Sequence, residues 1–259
     1  MDTWTLITGA SEGLGVEFAR IAAAEGRNLI LTARSLDKLE ALAQDLRSDD
    51  VKVEVIGADL SDLSEVERMW DTASASRQID MLVNNAGLGR HGSFGDGEAW
   101  ERELSSLNVN ITALSYLMKQ AIPHMQASGG GRILNVASTA AFMPGPNMAV
   151  YHATKAYVLS LSEAVAEELR GTNVTITALC PGATATNFFD DADMHGVRLL
   201  RFAKPMEAAP VAQAGWDAAK AGQRVIVPGW INKVFAFAPR LTPRRLLTFV
   251  ASKVMGKGA

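Results

Sequence analysis

Short apolar stretches alternate with amphipathic stretches along most of the chain, and this alternation restricts the folds that it can adopt. Most of the apolar stretches are apolar at nearly every position, which is typical of strands in a parallel sheet covered on both faces. Repeated strand–helix units with right-handed crossovers predict an α/β fold, a doubly wound sheet of about seven parallel strands with helices on both faces. The predicted strands are 4–8, 28–32, 52–57, 81–86, 132–138, 174–180 and 224–229.

The amphipathic stretches between the strands carry helix start and stop signals. Gly26 suits the position after a helix end, and Ser35 and Ser61 are candidate N-caps of the helices that follow them. No Pro/Ser-rich linker or low-complexity segment divides the chain, so we expect one domain over residues 1–259. The predicted helices are 14–25, 36–47, 62–75, 98–127 and 149–170.

Composition argues against several classes of protein. The 259 residues are 48% hydrophobic and 20% charged, as in a globular protein with a sizeable core, and the net charge of −3 gives no sign of a nucleic-acid partner. Cys180 is the only cysteine, so no disulfide can form within the chain, and we expect a reducing, cytoplasmic location. No signal-peptide pattern and no apolar run of the ~18 residues that span a membrane is found. The four histidines lack ligand spacing, so no metal site is predicted.

The first predicted strand is followed by a glycine-rich turn and then by a helix. Gly9, Gly13 and Gly15 are spaced G-x-x-x-G-x-G in "TLITGASEGLGVEF", with Ser11 and Leu14 between them. Glycine permits unusual backbone dihedrals and lets a pyrophosphate approach the main chain, while the following helix offers free N–H groups. The turn therefore predicts a dinucleotide site, although its spacing differs from G-x-G-x-x-G and an ordinary tight turn is the alternative.

The end of the second predicted strand bears on which dinucleotide binds. An acidic residue there suits a free ribose 2′-hydroxyl, whereas an arginine suits a 2′-phosphate. Arg34 and Ser35 occupy this place, and both side chains can donate hydrogen bonds to a phosphate. They favour NADP(H) over NAD(H), with a solvated surface arginine as the alternative interpretation.

Tyr151 and Lys155 stand four residues apart in "AVYHATKAYV", within a predicted helix. Residues at i and i+4 are neighbours on one helix face, so the ammonium is expected to lower the pKa of the phenol from its usual value of about 10. A phenol tuned in this way acts as a general acid or base near neutral pH.

Together with further motifs, these residues make the chain resemble the short-chain dehydrogenase/reductase family over nearly its whole length. The motifs are "ADL" at 58–60, "NNAG" at 84–87, Ser138 at its spacing from Tyr151, and "PGATAT" at 181–186. The resemblance implies a Rossmann-like NAD(P)-binding domain. The cofactor-binding residues that it implies are Gly9, Ser11, Gly13, Leu14, Gly15, Arg34, Ser35, Asp59, Leu60, Asn85, Ala86, Gly87, Tyr151, Lys155, Pro181, Gly182, Thr184 and Thr186.

The resemblance also implies which residues are catalytic. Tyr151 is then the proton donor to a carbonyl oxygen or the base toward an alcohol, and Ser138 donates a hydrogen bond to the same oxygen. Lys155 lowers the pKa of Tyr151 and holds the nicotinamide ribose, while the cofactor supplies the hydride.

The family also uses an asparagine midway along its long fourth helix, where a kinked backbone positions a water of the proton relay. The sequence has two such residues, Asn108 and Asn110, and the separation from Pro123 favours Asn110. Glu12 departs from the family pattern, because many NADP-dependent relatives carry a basic residue there. An acid close to a 2′-phosphate is unfavourable, so the prediction of NADP(H) depends on Arg34.

We expect an NADP(H)-dependent oxidoreductase that acts on the carbonyl or secondary alcohol of a mostly apolar small molecule. A non-catalytic NADP(H)-binding sensor is the alternative. By the same resemblance the chain forms a homodimer or homotetramer through helices 98–127 and 149–170, where an apolar stripe serves either that interface or the core. The stripe comprises Leu104, Leu107, Ile111, Leu114 and Leu117.

The segment 187–210 is expected to form a lid over the substrate and to give it a mostly apolar wall. Methionine and aromatic side chains there suit an adaptable apolar pocket, although each of them also suits a core. The candidates are Phe142, Met143, Met148, Phe188, Phe189, Met194 and Phe202.

The tail, residues 230–259, has basic side chains and no acidic one. After Pro243, Leu246, Val250 and Val254 fall on one stripe of a predicted helix. We expect this amphipathic helix to dock on the protein's own body or on a partner subunit, and binding to an anionic membrane is the alternative. The basic residues of the tail are Lys233, Arg240, Arg244, Arg245, Lys253 and Lys257.

Overall fold

The computed structural model describes residues 3–95, 97–194, 196–198 and 205–256. Its strands are β1 (Thr3–Thr8), β2 (Asn28–Ala33), β3 (Val53–Gly57), β4 (Gln78–Asn84), β5 (Gly131–Val136), β6 (Val174–Leu179) and β7 (Val225–Ile226). They form one parallel sheet in the order β3-β2-β1-β4-β5-β6-β7. The predicted sheet of seven parallel strands is confirmed, and β7 is shorter than the stretch 224–229.

Helices lie on both faces of this sheet, as predicted. They are α1 (Gly13–Ala24), α2 (Leu36–Leu46), α3 (Leu63–Ser74), α4 (Trp100–Leu107), α5 (Leu114–Ala127), α6 (Ala149–Glu168), α7 (Phe188–Asp191), α8 (Ala208–Lys220), α9 (Trp230–Phe237) and α10 (Arg244–Met255). The helix predicted over 98–127 is interrupted by a π-helical turn, Asn108–Ala113, which joins α4 to α5.

One predicted N-cap is wrong by one residue. Asp62, not Ser61, caps α3, because its carboxylate accepts a hydrogen bond from the Ser64 N–H at 2.8 Å. The Ser61 hydroxyl is used elsewhere, since it donates to Asp59 Oδ1 at 2.8 Å. At the end of α1, Gly26 has φ +71°, and its N–H donates to the Ala23 carbonyl at 2.9 Å, as expected of a glycine after a helix.

The apolar core has two layers, one on each face of the sheet. On one face Trp70, Leu117 and Val158 belong to a cluster built from α3, α5, α6 and the sheet. On the other face Phe18 and Trp216 belong to a second cluster, built from α1, α2, α8 and the sheet. Both faces of the sheet are buried, which explains why its strands are apolar at nearly every position.

The order of the strands reverses between β1 and β4. Because β1 lies beside both β2 and β4, the chain crosses to opposite sides of the sheet from this point. In doubly wound sheets ligands bind in the crevice at the carboxyl ends of the strands, at such a switch point. The loops after β1, β2, β4, β5 and β6 therefore all reach one edge of the sheet.

Candidate active site

The glycine turn after β1 requires its glycines for two different reasons. Gly9 and Gly13 have φ of +63° and +55°, a region that favours glycine. Gly15 is buried behind the turn, where a Cβ atom would lie 2.2 Å from the Gly9 carbonyl oxygen. Gly15 therefore lets α1 begin directly against the turn, rather than lining the cavity itself.

Hydrogen bonds hold the turn against the end of β4. The Thr8 hydroxyl accepts from the N–H groups of Asn85 and Ala86, both at 3.0 Å. The Asn85 side-chain amide donates to the carbonyls of Thr8 and Gly9 at 2.9 and 3.0 Å. These bonds fix the "NNAG" segment beside the glycine turn, so the two predicted cofactor motifs form one wall.

Arg34 lies at the end of β2, is exposed and lines the same cavity as the glycine turn. It has no hydrogen-bond or ion-pair partner among the described residues. Glu12, the acid that departs from the family pattern, forms an ion pair with Lys38 and accepts a hydrogen bond from Asn187 Nδ2 at 2.6 Å. The bond to Lys38 is the main reason that the pKa of Glu12 is lowered. Its negative charge is therefore already compensated near Arg34.

Asp59 and Leu60 follow β3 and line the cavity next to Arg34 and Ser35. One carboxylate oxygen of Asp59, Oδ1, accepts hydrogen bonds from the N–H and hydroxyl groups of Ser61 at 2.9 and 2.8 Å. The other oxygen has no partner among the described residues. The Asp59 side chain is thus held in one orientation with an acceptor still available.

Ser138, Tyr151 and Lys155 meet at the opposite wall of the cavity, after β5 and on α6. The Ser138 hydroxyl accepts from the Ala140 N–H at 3.1 Å, which starts a 3₁₀ turn, Thr139–Phe142. Lys155 is buried, and its Nζ donates to the Val136 carbonyl at 2.8 Å and lies 5.7 Å from the centre of the Tyr151 ring. The spacing in the sequence thus brings the three side chains together.

Desolvation is the largest cause of the pKa shifts of Tyr151 and Lys155. It raises the pKa of Tyr151 to about 12, partly offset by a hydrogen bond with Ser138, and it lowers the pKa of Lys155 to about 8. The net pKa of Tyr151 is therefore raised, not lowered as expected, because desolvation of the phenolate dominates. At neutral pH the phenol is protonated and most of the lysine is charged.

Asn110 is buried and does not line the cavity. Its side-chain amide donates to the Leu88 carbonyl and to the Thr154 hydroxyl at 2.8 and 2.9 Å, and its Oδ1 accepts from the Leu88 N–H at 2.9 Å. Asn108 instead donates to the Ser61 carbonyl at 3.0 Å. The two asparagines therefore have different roles. Only Asn110 connects the loop after β4 with α6, the helix that carries Tyr151.

The "PGATAT" segment after β6 lines the cavity between the glycine turn and Ser138 through Pro181, Gly182, Thr184 and Thr186. Thr184 is buried, with its hydroxyl donating to the Gly182 carbonyl at 3.1 Å. Thr186 lies against the turn, because a Cβ atom added at Gly13 would lie 2.8 Å from its methyl carbon.

One continuous cavity of about 1270 Å³ joins these walls. It brings together every predicted cofactor-binding residue except Gly15, and every predicted catalytic residue except Asn110. Among the described residues, no three His, Cys, Asp or Glu side chains come close enough to hold a metal ion.

The predicted lid contributes to the cavity, although residues 195 and 199–204, including Phe202, lie outside the described residues. The Phe188 ring lies 5.1 Å from the Tyr151 ring, centre to centre, and Phe189 and Met194 also line the cavity. A parallel bridge between Thr184 and Met206 ties the two ends of the lid. The segment thus forms an apolar wall beside the phenol.

Three predicted wall residues lie close together in sequence but separate in space. Met143 and Met148 line the cavity. Phe142 does not, because it packs against the main core on the α5 and α6 face of the sheet. Buried His152 holds this loop, since its Nδ1 donates to the Met143 carbonyl at 2.8 Å. Burial also lowers the pKa of His152, which favours a neutral ring.

Sequence reasoning missed three parts of the site. Lys38 was not connected with Glu12, although a basic residue in the first turn of α2 lies close to the end of β2. Gly89 allows Phe188 to approach Tyr151, because a Cβ atom there would lie within 3.0 Å of both rings. The tail was treated as separate from the site, yet it lines the cavity. Its lining residues include Trp230, Ile231, Phe235, Leu246, Leu247 and Val250.

Comparison with known proteins agrees with this geometry. Residues 3–195 match the family model described as short chain dehydrogenase, a segment that includes the glycine turn, Ser138, Tyr151 and Lys155. An uncharacterized oxidoreductase of Staphylococcus saprophyticus is 35% identical over 199 residues, which cover 74% of this chain and 80% of that protein.

Two solved structures extend the likeness to the fold. A short-chain dehydrogenase from Sphingobium yanoikuyae in complex with NADPH is 31% identical, with a TM-score of 0.82 and 92% of each chain covered. A 3-ketoacyl-(acyl-carrier-protein) reductase from Brucella melitensis complexed with NADH is 26% identical, with a TM-score of 0.75, covering 87% of this chain and 96% of that chain. The similar proteins thus include one bound to NADPH and one bound to NADH.

Proposed function

The chain belongs to the short-chain dehydrogenase family, and from this premise we propose that it is an NADP(H)-dependent oxidoreductase that reduces the carbonyl group of a mostly apolar small molecule, or oxidises the corresponding secondary alcohol. Its relatives support the coarser statement directly: it is an oxidoreductase of the short-chain type, with a nicotinamide cofactor. The preference for NADP(H), the substrate class and the role of Tyr151 are the proposal.

The observation that carries the proposal is the convergence of two walls on one cavity. The glycine turn and the ends of β2, β3 and β4 form one wall, and Ser138, Tyr151 and Lys155 form the other. The fit of a dinucleotide is supported by the glycine turn, because the main chain at Gly9 and Gly13 lines the cavity where a pyrophosphate can approach it. Gly87 lines the cavity at the far end, where a Cβ atom would lie 3.1 Å from Lys155 Nζ, so this glycine allows the ammonium to lie close to the main chain.

In the proposed reduction, Tyr151 donates a proton from its hydroxyl to the substrate oxygen as the C=O bond becomes C–OH. The phenol is suited to this role because its raised pKa of about 12 keeps it protonated at neutral pH. The Ser138 hydroxyl donates a hydrogen bond to the same oxygen and stabilises the negative charge that develops there. When bound, the cofactor supplies the hydride for the carbonyl carbon.

Lys155 and Asn110 act on the substrate through other groups in this proposal. The Lys155 ammonium is buried beside Tyr151 and stabilises the phenolate that forms when the proton leaves. Asn110 holds the main chain of Leu88 and the hydroxyl of Thr154. Thr154 in turn donates to the Tyr151 carbonyl at 2.8 Å. Asn110 is therefore a positioning residue for the first turn of α6.

The preference for NADP(H) is supported by the charge around Arg34. Its guanidinium is unpaired among the described residues and lines the cavity, and Glu12 is already neutralised by Lys38. An additional anion at this place finds a fork of donors suited to phosphate. A free 2′-hydroxyl offers no such charge.

The proposal is tested with a panel of ketones and aldehydes offered with NADPH and with NADH, following absorbance of the reduced nicotinamide. We expect NADPH oxidation with at least one apolar ketone, lost in Tyr151→Phe. If NADPH binds and no carbonyl or alcohol in either direction is turned over, the non-catalytic sensor replaces the enzyme.

A further inference from the structure

The described part of the tail, residues 230–256, lines one side of the cavity and leaves many large apolar side chains exposed. We call the apolar rim those that both line the cavity and are about half exposed or more: Trp230, Ile231, Phe235, Leu246 and Val250. The outer apolar residues do not line the cavity and are more than half exposed: Val234, Phe237, Leu241 and Phe249. Trp230 and Leu241 are 75% and 76% exposed. Single exposed apolar residues are common on protein surfaces, but a concentration of this kind in one short segment marks a binding surface.

The tail is held in place, so this exposure is not that of a loose chain end. Ala251 and Met255 of α10 are buried, and Met255 packs with Met194 and Val197 of the lid. His91 Nε2 donates to the Met255 carbonyl at 2.7 Å, and the Arg198 N–H donates to the Gly256 carbonyl at 3.1 Å. The expectation that the tail docks on the protein's own body therefore describes one side of α10. Leu246 and Val250, from the predicted stripe, remain about half exposed.

The charges of this surface have one sign. No acidic residue follows Asp217 in the sequence. None of the tail's described basic residues forms an ion pair with another described residue, and two of them lie over exposed rings. The Arg240 guanidinium carbon is 5.9 Å from the centre of the Phe237 ring, and Lys253 Nζ is 5.4 Å from the centre of the Phe249 ring. The described basic residues are Lys233, Arg240, Arg244, Arg245 and Lys253.

Exposed apolar side chains together with positive charge favour an anionic bilayer over a second copy of the chain as the binding partner. A second copy meeting the same surface across a two-fold axis would oppose basic residues with basic residues, which is repulsive. An anionic bilayer offers both acyl chains for the exposed rings and phosphates for the cations. No helix among the described residues has the length and apolarity of a membrane span.

We propose that residues 230–256 form a peripheral membrane-docking surface that binds anionic phospholipid bilayers. The outer apolar residues and the rim enter the head-group region, and the basic residues contact lipid phosphates. The mouth of the cavity then faces the bilayer. As a consequence that rests on the proposed function, an apolar ketone dissolved in the membrane enters the site past Trp230 and Phe235.

The charge requirement is tested by co-sedimentation with vesicles of phosphatidylcholine, with and without phosphatidylglycerol, at low and high salt. We expect binding to the anionic vesicles alone, reduced by high salt. Arg244→Ser with Arg245→Ser should weaken it about 30-fold, since each basic residue near the surface contributes about fivefold. The matched control, Lys119→Ser with Arg132→Ser, removes two exposed charges elsewhere and should bind like the wild type. Absence of vesicle binding, equal binding to both vesicles, or an equal loss in the control overturns the proposal.

The apolar requirement is tested with Leu241→Glu, against Leu63→Glu as the control on α3, where Leu63 is also exposed. We expect Leu241→Glu alone to weaken vesicle binding tenfold or more, while both variants keep the melting temperature and cofactor binding of the wild type. The proposal is wrong if the wild type does not bind vesicles and Leu241→Glu dissociates an oligomer. In that case the surface joins two copies of the chain. Vesicle binding needs no turnover, so the two proposals can fail separately. The protein can reduce carbonyls without binding vesicles, or bind vesicles without reducing carbonyls.

Discussion

At the scale of single residues, the site depends on partly buried Tyr151 and buried Lys155, and desolvation shifts their pKa values in opposite directions. It raises the pKa of the Tyr151 phenol and lowers that of the Lys155 ammonium, so both groups are pushed toward their neutral forms. In the proposed reaction the phenol donates the proton, and the ammonium stabilises the phenolate that remains.

Replacing the phenol tests the first of these roles. Tyr151→Phe removes the proton and keeps the ring that contacts Phe188, so we expect kcat to fall about 100-fold or more while NADPH still binds. Tyr157→Phe is the control, because Tyr157 lies on the same helix, and its hydroxyl is 2.9 Å from that of Ser115 at the surface. Near wild-type turnover by Tyr151→Phe on the true substrate would contradict the mechanism.

The dependence of activity on pH tests the second role. Lys155, with a pKa of about 8, is charged below that pH and neutral above it, while Tyr151 stays protonated up to about pH 12. We therefore expect kcat/KM for carbonyl reduction to fall as the pH rises through about 8. Lys155→Arg, whose guanidinium remains charged, should be slower but lose this fall. A wild-type profile that stays level well above pH 8 would separate Lys155 from the proton transfer.

Arg34 is expected to set the choice of cofactor. Arg34→Ala should raise KM for NADPH by about tenfold or more through loss of a charge-assisted hydrogen bond, with little effect on KM for NADH. Arg20→Ala serves as the control, since Arg20 is an exposed arginine of α1 that pairs with Glu17. Equal changes with the two cofactors would show that Arg34 does not bind a 2′-phosphate.

At the scale of elements, the junction of β1 and α1 is the most tightly constrained. We expect Gly15→Ala to weaken NADPH binding and to destabilise the fold by about 1–3 kcal/mol, because the added Cβ atom overlaps the Gly9 carbonyl. Gly97→Ala is the matched control, since no atom lies within 4 Å of the added Cβ and its φ is not positive. Thermal melts with and without NADPH measure both effects, and a silent Gly15→Ala would mean that the turn can move.

The π-helical turn shows how an element places one residue and not its neighbour. Widening of the helix at Asn108–Ala113 accompanies the inward position of Asn110, while Asn108 contacts Ser61 near α3. Such turns occur frequently at functional sites. The separation from Pro123 favoured the same asparagine, but only the contacts show what it holds.

At the scale of the whole molecule, the predicted homo-oligomer concerns the outer surface of α4 to α6. The apolar stripe divides there, since Leu114 and Leu117 are buried in the core and Leu104, Leu107 and Ile111 are partly exposed. Trp100 on α4 and Tyr157 on α6 are exposed as well. The stripe therefore serves the core at one end and is available to a partner at the other.

We predict a mass in solution of two or four times 27.7 kDa. Leu104→Glu should lower it, because the charge falls on the exposed part of the stripe, whereas Leu63→Glu should not. Light scattering at micromolar concentration measures the mass, and a monomeric wild type would refute the prediction.

Much of this protein follows from the sequence by itself. The strands, the parallel sheet and the glycine turn depend on local composition and on the spacing of apolar residues and glycines, which can be read from the sequence. The meeting of Ser138, Tyr151 and Lys155 also depends on short spacings, one across a loop and one along a helix. The topology rules for β-α units then leave few other ways to bring these motifs to one edge of the sheet.

The tertiary structure alone decided the properties that depend on distant neighbours. The pKa of Tyr151 rises because packing in the folded protein desolvates its phenol, and the four-residue spacing to Lys155 does not predict this. Glu12 pairs with Lys38 of α2, a contact that the sequence alone did not indicate. The tail leaves apolar side chains exposed beside the cavity because Ala251 and Met255 are the buried residues of α10, and Met255 packs against the lid. Burial, pairing and exposure are set by what packs against a residue, and that is determined only once the whole chain has folded.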